Sequence, residues 1–297
     1  MNPIQAICVG VITIDTIALV DSYPSEDERV LAQEITRAGG GPAAVAAVAL
    51  SRLGIQTAII GTIGDDADGA EVMKIFTREN IDVSGVSIGM SATSGSVIVA
   101  SRMHNTRAIS TRQPMKQEPL NNTALNLLTH AEWIHADHVG IVALSEAGIV
   151  RGSGPLLSFD AGYGVEKFDS STVDLFVPTD KQIALRNPGI NLKDALEKEA
   201  KSGRNVVVAT QGSDGSSGYS AETGFARDPG FSVDVVSTLG AGDVFHGALV
   251  AQFIQGYELQ QAMRRANAVA ALSCRGLDGQ SKIPTTIELN EYLEALT

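Results

Sequence analysis

The chain has 297 residues, of which 44% are hydrophobic and 19% are charged, and its formal net charge is −12. This composition is typical of a soluble globular protein, and the negative charge argues against nucleic acid or an anionic membrane as a partner, because both require a basic face. No apolar run is long enough for a membrane span, the N-terminus lacks the basic region of a signal peptide, and two cysteines fit a reducing cytoplasm.

Short apolar runs of strand length alternate along the chain with segments of helical spacing. Strands are predicted at 4–11, 13–20, 26–37, 57–61, 94–102, 107–111, 132–136, 156–159, 174–177 and 205–209, and helices at 43–53, 68–79, 123–130, 180–186, 191–202, 242–256 and 258–273. This alternation indicates βαβ units and a doubly wound, mostly parallel α/β sheet. The more polar strands do not fit that core, so we expect residues 13–38 and 94–111 to form a small β-sheet lid within one domain spanning 1–297.

Residues 233–249, VDVVSTLGAGDVFHGAL, carry the strongest functional signal. The β-branched residues at 233–236 predict a strand. Gly240, Ala241 and Gly242 then form a turn that leaves backbone N–H groups exposed at the start of a helix, where they can bind an anion. Asp243 in the first helical turn can accept a proton beside that anion. The pattern indicates transfer of a charged group to a hydroxyl, with phosphoryl as the favoured group.

Two motifs resemble those of the ribokinase-like family of sugar kinases, also called the PfkB family. The first is GGGPAAVAAVALSRLG at 39–54, followed by GTIGDD at 61–66, and the second is TLGAGDVF at 238–245. Their order and separation match the family over nearly the whole chain. The resemblance implies a doubly wound domain with a β-sheet lid, and transfer of the γ-phosphate of ATP to a hydroxyl, often the hydroxymethyl of a sugar. Taken together, the segments GGGPAA, VDVV–TLGAGDVFHGAL and ALSCRGLDGQSKIP are most similar to the sulfofructose kinase branch.

By this resemblance Asp243 is the general base, and Gly240, Ala241 and Gly242 form the anion hole for the transferring phosphoryl group. These roles agree with the chemistry, since phosphoryl transfer depends on alignment and charge stabilisation. Asp15 stands where the family places an acid that binds sugar hydroxyls, and a carboxylate can accept two hydroxyl hydrogen bonds.

Further acceptor-binding residues are expected around the first motif and on the lid. Gly40 and Gly41 would let the backbone approach the sugar closely. A sulfonate would need cationic groups, for which Arg29, Arg107 and Arg112 are candidates, although a solvated surface arginine explains each one taken alone.

The nucleotide site is expected after the strand at 205–209 and in the last predicted helix, by the same resemblance. ATP would require Mg²⁺ there. The residues assigned to it are Thr210, Gly212, Gly215, Asn267, Ala271 and Gly276.

The chain departs from the family pattern at several positions. Val45 replaces the usual sugar-binding asparagine. Residues 179–182, TDKQ, replace the N-x-x-E motif that orders Mg²⁺ through water, and only Asp180 could substitute. Ser237 replaces an acid that helps bind a monovalent cation, which weighs against potassium activation. The predicted strand end at 136–139 has no arginine for a sulfonate.

Motifs of other enzyme and nucleotide-binding classes are absent from the sequence, and the remaining histidines and the tryptophan are explained without a catalytic or metal-binding role. There is no P-loop, no dinucleotide-binding G-x-G-x-x-G after the first strand and no G-x-S-x-G elbow. His135 and His138 lack a metal-site framework, and we expect His246 and Trp133 to be packed in the core.

Two alternatives stay open beside a carbohydrate kinase: a nucleoside kinase of the same fold, and a non-catalytic protein that binds a sugar or a nucleotide. The aromatic content of 5% weighs against a nucleoside platform, whereas the altered segment 179–182 motivates the non-catalytic hypothesis. Because an exposed lid sheet has open edges or an apolar face, we also expect a homodimer formed through the lids.

Overall fold

The computed structural model describes residues 3–104, 106–112, 115–162, 168–203 and 205–296. Within these ranges the strands are β1 (Ala6–Val9), β2 (Thr13–Val20), β3 (Glu34–Gly40), β4 (Thr57–Ile60), β5 (Thr62–Gly64), β6 (Ser87–Gly89), β7 (Gly95–Ser101), β8 (Thr106–Thr111), β9 (Trp133–Ala136), β10 (Leu156–Asp160), β11 (Leu175–Val177), β12 (Val206–Thr210), β13 (Ser216–Ser220) and β14 (Gly224–Asp228). The helices are α1 (Pro42–Arg52), α2 (Ala67–Arg78), α3 (Asn122–His130), α4 (Gly140–Glu146), α5 (Asp180–Arg186), α6 (Leu192–Gly203), α7 (Ala241–Ile254), α8 (Leu259–Ser273) and α9 (Thr286–Glu294).

An eight-stranded sheet with the order β14-β13-β12-β11-β10-β9-β1-β4 forms the centre of the molecule. The six strands from β12 to β4 run parallel, whereas β13 and β14 are antiparallel additions at one edge. Residue Ala6 of β1 pairs with Thr57 on one side and with Trp133 on the other. The doubly wound, mostly parallel α/β fold is therefore confirmed.

The central strands are apolar at successive positions because both faces of the sheet are covered. On β1, Ala6 and Cys8 contact a core shared with α1, α7 and α8, whereas Ile7 and Val9 contact a second core shared with α3, α5 and α6. Side chains alternate between faces along a strand, so a continuous apolar run serves both cores.

Helix α7 is buried over most of its length, between α1 and α8. A Cβ atom built on Gly247 would lie 2.4 Å from the carbonyl oxygen of Ala46, so the backbones of α7 and α1 meet directly at this glycine. This contact fixes the axis of α7, and hence the position of its first turn at the carboxyl end of the sheet.

A separate four-stranded sheet, with the order β3-β2-β7-β8, is referred to below as the small sheet. Strand β2 has the predicted bounds, and β7 and β8 form the predicted antiparallel pair. The predicted strand at 26–37 is wrong over residues 26–33, which are irregular and largely exposed. On the inner face of the small sheet, Ile17 and Ile98 pack with Leu239 in the loop before α7. The division into one domain with a lid stays a prediction.

The strand predicted at 233–236 is also wrong. This segment is irregular, with the Val236 and Ser237 amides donating 2.8 and 3.1 Å hydrogen bonds to the Cys274 carbonyl. Its β-branched residues have the propensity for a strand but pair with no neighbouring strand in the described chain, and Val235 is 43% exposed.

Several elements of the structure are not predicted from the sequence. The β13–β14 hairpin is rich in serine and glycine, which are poor strand signals, and it is buried only because it extends the central sheet. Helix α9 follows α8, which is the last helix predicted from the sequence, and Thr285 and Glu288 cap α9 reciprocally. Within the described ranges, no helix combines the length and the apolar character needed to cross a bilayer.

Candidate active site

The turn before α7 has the geometry of an anion-binding helix start. Gly240 is the N-cap with a φ of +70°, a conformation that glycine adopts without strain. The amides of Gly242 and Asp243 lie in the first turn, where an α-helix offers them no partner, while the Ala241 amide makes a long 3.4 Å contact with the Thr238 carbonyl. The amides of Gly242 and Asp243 are therefore available as donors at this turn, and their binding of an anion stays a prediction.

The loop at 277–280 packs directly against the backbone of this turn. Gly279 has a φ of +72°, and a Cβ atom there would lie 2.4 Å from the Leu239 carbonyl oxygen. The Ser237 hydroxyl accepts a 3.2 Å hydrogen bond from the Leu239 amide. Ser237, which stands where the family pattern has an acid, therefore stabilises the loop that leads into this turn.

Asp243 is half-buried in the first turn of α7. Its pKa is raised well above the ordinary value, chiefly by burial and next by the neighbouring carboxylates of Asp160 and Asp137, while Arg107 acts in the opposite direction. Strongly perturbed pKa values of this kind are typical of groups that transfer protons in active sites.

Asp137 and Asp160 are the site residues that sequence reasoning missed. Each lies at the carboxyl end of a strand of the parallel sheet, Asp137 just after β9 and Asp160 at the end of β10, and these neighbouring strands bring both beside Asp243. Asp137 accepts hydrogen bonds from the amides of Val11 (2.7 Å) and Gly140 (2.9 Å), and burial raises its pKa. Ligands of open α/β sheets bind at these strand ends, and that rule could have singled out both acids.

His246 lies one turn after Asp243 on α7, and its Nδ1 atom is 3.2 Å from Oδ2 of Asp160. The geometry is not that of a hydrogen bond, and the contact is an ion pair only when the imidazole carries a proton on both nitrogens. His135 packs edge-on to His246, and its Nδ1 pairs with the Ser158 hydroxyl at 3.1 Å. Both histidines are buried, as predicted for His246, and both lie beside Asp160, whereas His138 is exposed.

A cavity of about 340 Å³ opens beside the first turn of α7, with Ala241 and Gly242 in its wall. It has mainly apolar lining, with the irregular segment 231–235 as one side. Five of the six residues assigned to the nucleotide line it: Thr210, Gly212, Gly215, Asn267 and Ala271.

Asn267 and Gly276, two of the residues assigned to the nucleotide, have different surroundings. The Asn267 amide donates to Ser216 (3.0 Å) and to Asp228 (2.7 Å), so this residue also joins α8 to the β13–β14 hairpin. Gly276 is not among the described residues that line the cavity, because it is buried against Ser281 and Lys282.

Asp15 lies on the inner face of the small sheet and is 8% exposed. Its Oδ1 accepts a 3.0 Å hydrogen bond from the Ser96 amide, and burial raises its pKa against the effect of such bonds. A Cβ atom on Gly40 would lie 2.1 Å from Oδ2 of Asp15, and one on Gly41 would lie 2.3 Å from the Val11 carbonyl oxygen. Internal packing therefore requires both glycines, and their contact with an acceptor stays a prediction.

The three candidate arginines have different surroundings. Arg107 on β8 donates to Thr238 Oγ1 at 3.1 Å and so reaches the loop before α7. Arg112 instead donates to the Thr93 carbonyl at 2.8 Å. Arg29 is exposed in the irregular segment after β2, and no contact in the described chain joins it to Asp15.

The segment 179–182 forms a reciprocal cap at the start of α5. Thr179 donates its amide to the Gln182 side chain at 2.8 Å, and the Gln182 amide donates to the Thr179 hydroxyl at 3.2 Å. Thr179 also pairs with Thr210 of the cavity wall, so Asp180 stands at the cavity end of the sheet. Val45 is buried and packs towards Gly240.

Comparison with known proteins gives a consistent result. The model of the pfkB family carbohydrate kinase matches residues 4–147 and 171–286. An ATP-dependent ribose-1-phosphate kinase from Halopiger xanaduensis is 27% identical, with 98% of each chain covered. Fructokinase-1 of Oryza sativa is 25% identical, over 93% of this chain and 95% of the relative. The crystal structure of ribokinase from Thermotoga maritima superposes with a TM-score of 0.81, at 24% identity over 98% of this chain and 99% of the other.

Proposed function

Since the chain belongs to the pfkB family of carbohydrate kinases, we propose that it transfers the γ-phosphate of ATP to a hydroxymethyl group of a keto-sugar or a related carbohydrate, of the fructose or sulfofructose type. The family relationship makes the chain a phosphotransferase with an alcohol as acceptor. The keto-sugar acceptor, Asp243 as general base and the other site roles are our proposals.

One observation carries the proposal: the cavity reaches the anion-binding turn, and Asp243 lies on that same turn. A nucleotide whose base occupies the apolar part of the cavity would direct its phosphates towards the amides of Gly242 and Asp243. The name of the Halopiger relative supports ATP as the donor.

The chemistry follows from this placement. The acceptor hydroxyl gives its proton to the Asp243 carboxylate while its oxygen forms a bond to the γ-phosphorus, and the bond from that phosphorus to the ADP oxygen breaks. The amides at the start of α7 stabilise the charge of the transferring group, a contribution of about 3 kcal/mol per donor in comparable sites.

Mg²⁺ would neutralise phosphate charge when it is bound, and Asp180 is the residue that would hold it, through water. The carboxylate at the cavity end of α5 is a suitable donor for this hard cation. Because the Ser237 hydroxyl accepts from the Leu239 amide and is not an acid, activation of the proposed enzyme by potassium is disfavoured.

On the acceptor side, Asp15 would bind sugar hydroxyls from the inner face of the small sheet. Arg107, on the same face, would contribute positive charge to the transferring phosphoryl group or to an anionic substituent of the acceptor. Arg112 is held by the Thr93 carbonyl, so it does not enter this proposal.

The outer face of the small sheet supports the proposed homodimer. Ile35 and Val97 are 68% and 60% exposed there, and pairing of two such faces would cover them. A monomer mass in light scattering at micromolar concentration would contradict this. We also propose a cytoplasmic location, because Cys8 and Cys274 are both free and buried.

The test is transfer of labelled γ-phosphate from ATP across a panel of keto-sugars, sulfofructose, other sugars and nucleosides. Preferential phosphorylation of a keto-sugar at its hydroxymethyl group supports the proposal. Preference for a nucleoside would favour the nucleoside kinase alternative, and ligand binding with no turnover of any acceptor would favour the non-catalytic one.

A further inference from the structure

A cluster of three buried side chains has no part in the proposed transfer chemistry: His135 on β9, Asp160 at the end of β10 and His246 on α7. One potential ligand atom of each lies within 4.8 Å of the others. None of the three residues is more than 6% exposed. The described residues that line the nucleotide cavity include none of them, so the cluster is distinct from the proposed Mg²⁺ position at Asp180.

Two nitrogen atoms of this cluster, His135 Nε2 and His246 Nδ1, are buried and have no hydrogen-bond partner in the part of the chain that the structure describes. A buried polar atom without a partner costs free energy and is rare, so each one requires an explanation. A neutral imidazole nitrogen is the commonest metal ligand in proteins. One metal ion would satisfy both atoms at once.

The other polar atoms of His135 and Asp160 have partners, in the arrangement that metal ligands require. His135 Nδ1 pairs with the Ser158 hydroxyl at 3.1 Å, and a proton donated from Nδ1 to that hydroxyl leaves the Nε2 lone pair free. Burial lowers the pKa of His135 to about 3, so the ring is neutral at physiological pH. Asp160 Oδ1 accepts a 2.8 Å hydrogen bond from the Gly162 amide, which leaves Oδ2 for a further contact.

The distance between His246 Nδ1 and Asp160 Oδ2 also fits a metal site. The two atoms are 3.2 Å apart, without the geometry of a hydrogen bond. Two ligand atoms of a tetrahedral Zn²⁺ ion are about 3.3 Å apart, because each lies about 2.0–2.1 Å from the metal. The alternative is a protonated His246 that pairs with Asp160. It explains neither the missing alignment nor the unpartnered Nε2 of His135.

We propose that His135 Nε2, Asp160 Oδ2 and His246 Nδ1 bind one divalent transition-metal ion, with Zn²⁺ as the best match to the ligand set. Two imidazoles and one carboxylate suit Zn²⁺, whereas Mg²⁺ and Ca²⁺ take oxygen ligands. Three protein ligands leave a fourth position for water. The ion joins the carboxyl ends of β9 and β10 to α7 and so stabilises the packing of that helix. The proposal does not depend on the role of Asp243.

The experiment titrates the full chain, after treatment with EDTA, with Zn²⁺ in calorimetry and with Co²⁺, whose visible absorption reports tetrahedral coordination. We expect about one ion per chain and a rise in Tm with Zn²⁺ that EDTA reverses. His135→Asn keeps a polar atom near Ser158 and removes Nε2, and His246→Gln removes Nδ1. Each variant should bind Zn²⁺ more than about 100-fold more weakly, because even the partners of metal ligands contribute about 10- to 100-fold.

The exposed histidines provide the matched control. The chain has five histidines, and His104, His130 and His138 are exposed. The triple variant H104Q/H130Q/H138Q keeps the proposed ligands and should bind Zn²⁺ as the wild type does. Ser158→Ala also keeps all three ligands and should weaken binding by about 10- to 100-fold, which tests the site even where a ligand variant fails to fold.

Two results would overturn the proposal. One is absence of Zn²⁺ binding by the wild-type chain, which would leave the protonated pair of His246 and Asp160 as the explanation. The other is binding that is lost in the triple variant and retained in H246Q, which would place the ion on the surface. Neither result bears on the proposed kinase activity, because these measurements require no turnover.

Discussion

Arg107 Nη1, on strand β8 of the small sheet, lies 3.1 Å from Oγ1 of Thr238 in the loop before α7. The two residues are 131 positions apart in sequence, and their contact joins the small sheet to the loop before α7. It also places a guanidinium close enough to Asp243 to lower the pKa of that carboxyl.

Arg107→Gln should therefore reduce kcat/KM by about 10- to 100-fold, since a hydrogen bond to a charged group contributes about 1.5–3 kcal/mol. The acidic limb of the pH profile should also move to higher pH, because the cation that lowers the Asp243 pKa is lost. Steady-state kinetics of R107Q and of the control Arg102→Gln, an exposed arginine after β7, test this. Equal losses in the two variants would contradict a specific role for Arg107.

The neighbouring glycines at the end of β3 allow a test of the acceptor site. In Gly40→Ala the new methyl group would meet Asp15 Oδ2 at 2.1 Å, so the carboxylate must move. We expect a rise in acceptor KM of at least about tenfold, with the KM for ATP unchanged. Gly39→Ala is the matched control, because its Cβ atom would make ordinary contacts at 3.5 Å and beyond. An unchanged acceptor KM in G40A would remove Asp15 from acceptor binding.

Much of the fold is predictable from sequence where the local signal and the tertiary role agree. Strand β2 and helix α5 have the predicted bounds, since each has the residue pattern of its element and clear ends. The β-branched run at 233–236 fails as a strand because propensity does not supply a pairing partner. The β13–β14 hairpin is the reverse case, because its residues have weak strand propensity and form strands through pairing with β12.

The residues of the candidate site also divide into those that the sequence predicts and those that only the fold brings together. Gly240 and Asp243 are predictable because one short segment supplies both the turn and the acid. Asp137 and Asp160 are single acids on different strands, 106 and 83 positions before Asp243, and only the register of the parallel sheet brings them together. Linear spacing therefore identified the proposed base but could not reveal the neighbouring carboxylates that raise its pKa.

The nucleotide cavity can be tested by reducing its volume. Ala271 lines the cavity on the last turns of α8, so Ala271→Leu places three further carbon atoms in a space of about 340 Å³. We expect the affinity for an ATP analogue to fall by about tenfold or more in calorimetry, with acceptor binding retained. Gln261→Leu, at an exposed position of the same helix, should leave nucleotide affinity unchanged. Equal affinities in all three proteins would place the nucleotide elsewhere.

The buried pair of Arg186 and Glu199 gives a prediction about stability. Their side chains are 2.9 Å apart and each is 11% exposed. Burial would raise the pKa of Glu199, but hydrogen bonds from Arg186 and Asn187 lower it overall. A lowered pKa in the folded state gives stability that is present above the unfolded pKa and is lost as pH falls through the folded one. Glu199→Gln should cost about 3 kcal/mol at neutral pH, and less in acid.

Urea denaturation at several pH values measures this cost. Glu197→Gln on the same helix, where the pair with Lys201 is exposed, should cost under about 1 kcal/mol and is the control. A cost for E199Q that is independent of pH would mean that ionisation of Glu199 does not contribute.

The base itself is tested most directly by Asp243→Asn, which keeps the shape of the side chain and removes its ability to accept a proton. Single-turnover transfer of labelled γ-phosphate from ATP to the best acceptor of the panel is compared with wild type and with Asp234→Asn, an exposed acid of the preceding loop. We predict a loss of about 10²- to 10⁴-fold in D243N and none in D234N, with the wild-type rate falling as pH drops through the raised Asp243 pKa. Equal rates in D243N and wild type would contradict the account.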